Sequence, residues 1–374
     1  MKKLILLAVV SVVLALIAAC GAAQPETVKV VETVIVEKEV EKEVEKIVTV
    51  QVEKEVEKIV TVQVEKEVVK EPLIVRVAFP STIDIDDVAA LLAFEKMQDE
   101  GFAVAPTFYA QGELAAAAVA GGQADFGVGA STIWLTAIQK GAPIVGIMEQ
   151  TANGWSVVSI KDIKECKDLA GKRLAIHSEG SVSTAMLKAW IDTTCKGTEP
   201  EWLVIPGSEN RAAAILAGEI DATPAEMIDS VKILTERPDD FQRIADFAKD
   251  LPDLKTGGFW VRTDFTKENP EAVKSFIRNV LEIHRQINDD PKWFGEQVPR
   301  FLAMEDKDIE LLPKIIEALL SIDNYPVNGG MTPENAQGTI DFFTDSGRLE
   351  AGLMADKAFD LTFLDAVLEE IGKR

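Results

Sequence analysis

The strongest constraint on the fold is a regular alternation of strand and helix patterns that begins at Pro72. Residues 73–79 (LIVRVAF) form a β-branched apolar run typical of a buried strand, and residues 88–101 follow as a helix that ends at a glycine. Strand and helix patterns continue to alternate after it. Such alternation indicates a parallel sheet with helices on its faces, so we predict an α/β protein.

One helix-glycine-strand pattern occurs twice in the chain. It is AVAGGQADF at residues 118–126 and ILAGEIDA at residues 215–222, which places Asp125 against Asp221. The repetition predicts two lobes built on one plan. We assign residues 72–160 to the first part of lobe I, 161–255 to lobe II, and 256–374 to a return into lobe I with C-terminal helices.

The N-terminus has the features of an export signal. Lys2 and Lys3 precede an uncharged apolar stretch, and residues 1–19 end in small residues just before Cys20. The sequence LIAAC resembles a bacterial lipobox, in which the cysteine becomes the lipid-modified first residue; the alternative is an ordinary cleavage site followed by chance by cysteine. We expect an extracytoplasmic lipoprotein, anchored through Cys20 to the outer face of the cell membrane.

Residues 20–71 are predicted to form a low-complexity repeat stalk. The twelve residues VEKEVEKIVTVQ at 40–51 recur unchanged at 52–63. This unit is too short and too charged for a solenoid repeat. The pattern leaves a helical, an extended and a self-associating stalk open, but valines every fourth residue drift away from a heptad seam, which favours a monomer.

Cysteine usage and charge limit the function classes. In an exported protein, Cys166 and Cys195 indicate a disulfide more readily than a metal site. The chain has no CxxC or HExxH spacing and two histidines, His177 and His284, so we expect neither a metal nor a cofactor. A formal net charge of −23 argues against nucleic acid and anionic lipid as partners.

The order of motifs resembles that of substrate-binding proteins of ABC importers, in the branch that includes sulfonate, taurine, nitrate and thiamine-pyrimidine binders. The matching segments are GQADFGVG at 122–129, KDLAGKRLAIHSEGSVSTAMLKAWI at 167–191, AGEIDA at 217–222 and VRTDFTKENPEAVKSFI at 261–277. The resemblance implies a two-lobed type II periplasmic-binding-protein fold (a Venus flytrap). It also implies capture of a small solute between the lobes and delivery to an ABC permease, without chemistry.

In open α/β sheets, ligands bind beyond the carboxyl ends of the strands, so the loops there contain the candidate contacts. The candidates are Ser81, Thr82, Gln111, Gly112, Ser131 and Thr132 in lobe I, and Ser181, Ser183, Thr184 and Glu226 in lobe II. Trp155 and Trp260 are placed either to stack on a planar ligand or to join the core. A lone histidine such as His177 is more typical of packing than of catalysis, and an enzyme on the same fold or a structural surface lipoprotein are the alternative functions.

The glycines at 127 and 129 are interpreted as a ligand floor. Without side chains there, the backbone can approach a ligand, and free N–H groups at the helix start near Ser131 can donate to it. The alternative is that Ser131 or Thr132 merely caps the helix.

The predicted cleft loops contain seven acids and one cation: Asp84, Asp86, Asp87, Glu113, Glu179, Glu209 and Glu226 against Arg211. A binder of inorganic anions should have more cations, because charge-assisted bonds from Arg or Lys are the strong ones. The segment TPAEMI at 223–228 also lacks the aromatic residue that such relatives often place beside Glu-Pro or Asp-Pro. We expect a neutral or cationic, planar, nitrogen-containing solute, held by Ser131, Thr132 and Ser181, with Glu226 opposing a positive charge.

The anchoring prediction is tested by replacing Cys20 with alanine. The Cys20→Ala protein should be exported but soluble, because it lacks the residue that receives the acyl chains. A Ser11→Ala variant, altered within the apolar stretch, should stay in the membrane fraction. Membrane fractionation of Cys20→Ala with the wild type would contradict the lipoprotein prediction.

Overall fold

The computed structural model describes residues 71–80 and 83–374. The predicted signal peptide, Cys20, the stalk up to residue 70, Ser81 and Thr82 lie outside the described residues and stay predictions. Within the described part, no helix is long and apolar enough to cross a bilayer. The described residues form two five-stranded sheets with helices on their faces, which confirms the α/β prediction.

The strands of the first sheet are β1 (Ile74–Phe79), β2 (Ala103–Phe108), β3 (Phe126–Ala130), β4 (Ile144–Glu149) and a later strand, β10 (Gly257–Arg262). The strands of the second sheet are β5 (Trp155–Ile160), β6 (Arg173–Ile176), β7 (Glu201–Val204), β8 (Ala222–Glu226) and β9 (Phe241–Asp246). Their orders are β2-β1-β3-β10-β4 and β7-β6-β8-β5-β9. We call the first sheet with its helices lobe I and the second lobe II.

The helices that precede the return to lobe I are α1 (Ile85–Asp99), α2 (Gly112–Ala120), α3 (Ser131–Gln139), α4 (Val182–Thr194), α5 (Ser208–Leu216), α6 (Met227–Glu236) and α7 (Phe247–Asp250). Those that follow it are α8 (Thr263–Glu268), α9 (Pro270–Asp289), α10 (Pro291–Gln297), α11 (Asp306–Leu320), α12 (Pro333–Asp345), α13 (Ala355–Ala358) and α14 (Thr362–Ile371). Short 3₁₀ turns lie at Cys166–Leu169 and Val298–Arg300.

Helix α1 begins three residues before the predicted start at Val88, because acidic side chains cap it. The Asp84 carboxylate accepts a hydrogen bond from the Asp86 N–H at 2.9 Å, and the Asp84 N–H donates to the Asp87 carboxylate at 3.2 Å. This reciprocal capping satisfies N–H groups that a helix start otherwise leaves free.

Two chain crossings place the carboxyl edges of the two sheets next to each other. Strand β10 is antiparallel to β3, with Gly257 opposite Ala130, so the chain returns to lobe I at the carboxyl end of β3. Strand β5 is antiparallel to β8, with Trp155 opposite Glu226, so the chain enters lobe II at the carboxyl end of β8. The chain joins the second sheet at Trp155, six residues before the predicted boundary at 160/161.

An arginine–aspartate pair explains the repeated sequence pattern. In lobe I, Arg76 of β1 donates from Nε and Nη2 to Asp125 at 3.0 and 2.6 Å. In lobe II, Arg173 of β6 donates in the same way to Asp221 at 3.1 and 2.6 Å. Each pair ties one strand to the turn that precedes its neighbour, so the two lobes share one internal brace.

The structure joins Cys166 to Cys195 in a disulfide, with the two Cα atoms 5.8 Å apart. The bond links the turn before β6 to the end of α4, and both cysteines are buried. This is the end of lobe II opposite its carboxyl edge, so the bond holds the lobe together away from the candidate site. By chain entropy, closing a loop of this length adds roughly 3 to 4 kcal/mol.

Aromatic side chains fill the core of lobe I. Phe126 of β3 stacks on Phe276 of α9 with ring centroids 4.4 Å apart, and Trp134 of α3 stacks on Trp260 at 6.0 Å. Trp260 is 1% exposed, so it belongs to the core and is not available to a ligand.

We predict that Asp125→Asn costs about 2 kcal/mol of unfolding free energy, because two charge-assisted hydrogen bonds to Arg76 are lost at a buried position. Asp221→Asn is the matched control and should cost less: the Asp221 side chain is more exposed, 16% against 2%, and Asp125 has a second arginine, Arg262, 3.4 Å away. Urea unfolding measures the free energy of unfolding of both variants. An unchanged stability of Asp125→Asn would contradict the brace.

Candidate functional site

The candidate site lies at the carboxyl edges of the two sheets, where the chain crosses between the lobes. Ser131 is the first residue of α3, and its backbone N–H donates to the Thr256 carbonyl at 2.8 Å, in the returning crossing. The Ser131 hydroxyl is buried and has no hydrogen-bond partner among the described residues. One N–H of this helix start is therefore bound by the chain itself, and the Ser131 hydroxyl is enclosed by protein.

The ligand-floor interpretation of the two glycines is wrong. A Cβ atom at Gly127 would lie 2.1 Å from the Trp260 ring, so this glycine makes room for a core indole. A Cβ at Gly129 would lie 3.0 Å from the Pro80 side chain, and its φ of +127° is a conformation that favours glycine. Both glycines serve packing and backbone geometry inside lobe I.

Two other predicted contacts of lobe I begin helix α2. A Cβ at Gly112 would lie 2.2 Å from the Ile133 side chain, so this glycine allows α2 and α3 to pack closely. Gln111 is exposed and precedes the helix without capping it. Thr132 is half-buried at the start of α3 and lines a cavity.

That cavity has a volume of about 440 Å³ and lies between loops of both lobes. Its lining residues are Glu113, Thr132, Ile133, Thr136, Glu179, Gly180, Ser346, Gly347 and Arg348. Arg348 donates from Nη2 to the Gly180 carbonyl and so connects the segment after α12 to lobe II. Sequence analysis missed Arg348, because nothing in its local pattern shows that it reaches a loop 168 residues away.

The three predicted residues at the start of α4 lie together and bond to one another. The Ser181 hydroxyl accepts from the Thr184 N–H at 3.2 Å and contacts the hydroxyls of Ser183 and Thr184 at 3.3 and 2.8 Å. Ser183 and Thr184 are buried. Ser181 is the N-cap of this helix, so its main role in this structure is local.

Carboxylates from both lobes face one another at the crossings. Asp84, Asp86 and Asp87 lie at the start of α1 in lobe I, and Glu226 lies just before α6 in lobe II. The Asp86 carboxylate accepts from Asn324 Nδ2 at 2.9 Å, and Asp87 accepts from Gln150 Nε2 at 3.0 Å. We call these four acids the cleft carboxylates. In the described part of the chain, none of them forms an ion pair with lysine or arginine.

Burial raises the pKa of Asp87 and of Glu226 to about 7, and it raises the pKa of Asp86 well above its ordinary range. Like charges add to this effect, because Asp84 raises the pKa of both Asp86 and Glu226. The Glu226 side chain is nevertheless exposed to solvent. A carboxylate that is reached by water yet surrounded by protein is typical of a cleft wall.

Arg211, the one cation predicted at the cleft rim, is fully buried. Its guanidinium donates to the Thr223 hydroxyl at 3.0 Å and to the carbonyls of Pro224 and Gly207 at 3.0 and 2.9 Å. Protein acceptors therefore occupy this cation. It lowers the pKa of Glu226 at a distance but is not exposed for a solute.

Trp155 is half-buried and lies directly opposite Glu226 in the β5–β8 ladder. Residues directly opposite in an antiparallel ladder project on the same face of the sheet. The structure thus brings together an indole and a carboxylate from the predicted set, at the carboxyl edge of lobe II.

The two histidines have structural environments. His177 Nδ1 accepts from the Gly207 N–H at 3.0 Å, and its ring is exposed. Burial lowers the pKa of His284 to about 4, so this ring is neutral at pH 7. Across residues 71–80 and 83–374, no three His, Cys, Asp or Glu side chains are grouped to hold a metal ion.

Residues 97–292, just over half of the chain, match the model of the family described as NMT1/THI5 like. The chain belongs to this family. A protein of Brucella abortus, provisionally named a binding protein, is 25% identical to this chain over 258 residues. The aligned residues cover 66% of this chain and 76% of the relative.

Solved structures of low sequence identity share the fold. The periplasmic sulfonate-binding protein SsuA from Methylobacillus flagellatus aligns with a TM-score of 0.64 at 18% identity, covering 81% of this chain and 96% of its own. The periplasmic nitrate-binding protein NrtA from Synechocystis aligns with a TM-score of 0.55 at 13% identity, covering 81% and 90%. These similarities confirm the two-lobed periplasmic-binding-protein fold.

The raised pKa values predict an unusual dependence of stability on pH. An acid whose pKa is higher in the folded than in the unfolded protein holds its proton more tightly when folded. The free energy of unfolding should therefore fall as pH rises from the ordinary glutamate value of 4.5 to the folded value of about 7. Acids whose pKa is lowered on folding, such as Asp221, change the stability only at lower pH.

Glu226→Gln should flatten this decline, because glutamine does not titrate. The charged groups that interact with Glu226 are Asp84 and Asp86 on α1, Asp229 on α6, and Glu209 and Arg211 on α5. Glu236→Gln, at the exposed far end of α6, is the control and should keep the wild-type slope. Thermal unfolding from pH 4.5 to 7.5 measures how stability changes with pH in each variant. A slope in Glu226→Gln equal to that of the wild type would contradict the raised pKa of Glu226.

Proposed function

We propose that this protein is the extracytoplasmic solute-binding component of an ABC importer. It is tethered to the membrane through Cys20, captures a small organic solute between its lobes, and delivers it to an ABC permease. The observation that supports this most directly is the pair of crossings that puts the carboxyl edges of both sheets against one cleft. Ligands of open α/β sheets bind at this edge.

Two polar contacts between the lobes are of a kind that hinge closure can make and break. Lys232 of α6 lies 3.4 Å from Asp308 of α11, as a partly exposed ion pair. Arg348 donates to the Gly180 carbonyl at another position along the cleft. Exposed ion pairs contribute little stability, so a bound solute can decide the balance between open and closed lobes.

The enzyme alternative depends on His177, and its observed contacts favour a structural role. Nδ1 is used as an acceptor for the Gly207 N–H, which orients the ring and supports the loop before α5. A general base also needs a nucleophile or substrate proton within reach. Incubation of a bound solute with the protein, followed by mass spectrometry, should return the solute unchanged.

Native mass spectrometry of protein purified from its own host should detect a bound small molecule. When that molecule is added back to the stripped protein, small-angle scattering should show a smaller radius of gyration, because the lobes close around it. At 100 times the Kd, the ligand should add about 2.7 kcal/mol of stability. Scattering that stays unchanged at saturation would contradict closure.

A further inference from the structure

We propose that the solute has a positively charged organic nitrogen, bound between Asp86 of lobe I and Glu226 of lobe II against the indole of Trp155. This inference rests on the proposed function and names the class of solute. It replaces the expected contacts at Ser181, whose hydroxyl is occupied by its own helix start.

The acids at the start of α1 differ in how their oxygens are used. Asp84 and Asp87 cap the helix, and Asp87 also accepts from Gln150. The Asp86 backbone N–H donates to the cap, but its carboxylate takes no part in it and accepts a hydrogen bond from Asn324 Nδ2. An ionised carboxylate has room for about four hydrogen bonds, so Asp86 retains acceptor capacity.

Asn324 supplies an independent sign that a donor is missing. This residue is 0% exposed, its Nδ2 donates to Asp86, and its Oδ1 has no partner in the described part of the protein. Leaving a buried acceptor unpaired destabilises the folded protein. The N–H groups of an ammonium or amidinium placed against Asp86 would supply the donor that Asn324 lacks.

Lobe II offers the other half of the site. Glu226 lies at the carboxyl end of β8, with Trp155 directly opposite it in the neighbouring strand. A cation over an indole face is attracted by the ring quadrupole, most strongly when it is desolvated. A carboxylate beside an aromatic ring therefore suits an organic cation better than a neutral or anionic group.

The charges around the proposed site favour a cationic solute over an anionic one. An anion at this position would meet four acids, while Arg211, whose charge acts on Glu226, already donates to protein oxygens. The charge of Glu226 raises the pKa of Asp86, so the two carboxyls repel each other when both are ionised. A cation bound between them would offset this repulsion, so ligand binding and lobe closure would stabilise each other.

The test compares compounds matched in size but different in charge, by thermal shift at pH 7.5 on the full chain. The panel contains primary and quaternary alkylamines and aminopyrimidines, the corresponding neutral amides and pyrimidinones, alkylsulfonates with nitrate, and Ca²⁺ alone. The variants are Glu226→Gln and Asp86→Asn, with Glu236→Gln and Asp99→Asn as controls at the far, exposed ends of the same helices.

We expect stabilisation by organic cations and at least a tenfold rise in Kd in both Glu226→Gln and Asp86→Asn, with no change in the controls. The same two variants should raise the melting temperature of the empty protein, because each removes a repelling carboxyl. A purely structural role would instead lower that temperature. Trp155→Leu should weaken binding more than Trp155→Phe, which keeps an aromatic face.

Stabilisation confined to neutral compounds, to sulfonates and nitrate, or to Ca²⁺ would overturn the inference while leaving a solute-binding function in place. Cation binding that is equal in wild type and both carboxylate variants would overturn the site but not the function. A protein that none of the compounds stabilises, and that carries no small molecule from its own host, would count against both.

Discussion

The direction in which the chain crosses between the sheets is the constraint on which the rest of the structure depends. Because β5 and β10 are each antiparallel to the central strand of the sheet that they join, each crossing starts and ends at a carboxyl edge. Both edges must therefore border the same cleft. Reversing either strand would move the loops of one lobe to the far side and leave no site between the lobes.

Within each lobe, the arginine–aspartate brace holds the strands whose ends form the cleft. Asp125 and Asp221 occupy equivalent positions and accept from equivalent arginines. This brace and the disulfide lie away from the carboxyl edges, so stability is concentrated where the lobes need not move. The cleft itself holds acids from both lobes whose charges repel one another.

Local patterns predicted most of the framework. The alternation of strands and helices, the repeated glycine-aspartate unit and the return at residue 257 all depend on periodicity and short motifs, which a single sequence contains. Interpretations of individual residues failed where a distant partner decides the outcome. Gly127 faces an indole 133 positions later, and Arg211 turns inward onto the carbonyls of Gly207 and Pro224. The opposition of Trp155 and Glu226 likewise depends on strand register, which no local pattern shows.

An organic cation that binds between Asp86 and Glu226 should displace protons from these carboxyls, because burial and like charges raise their pKa. Isothermal titration calorimetry in buffers of different ionisation enthalpy measures the exchange directly. With an organic cation that binds, we expect release of protons near pH 7, and the release should diminish in Glu226→Gln. Binding without proton release at that pH would contradict it.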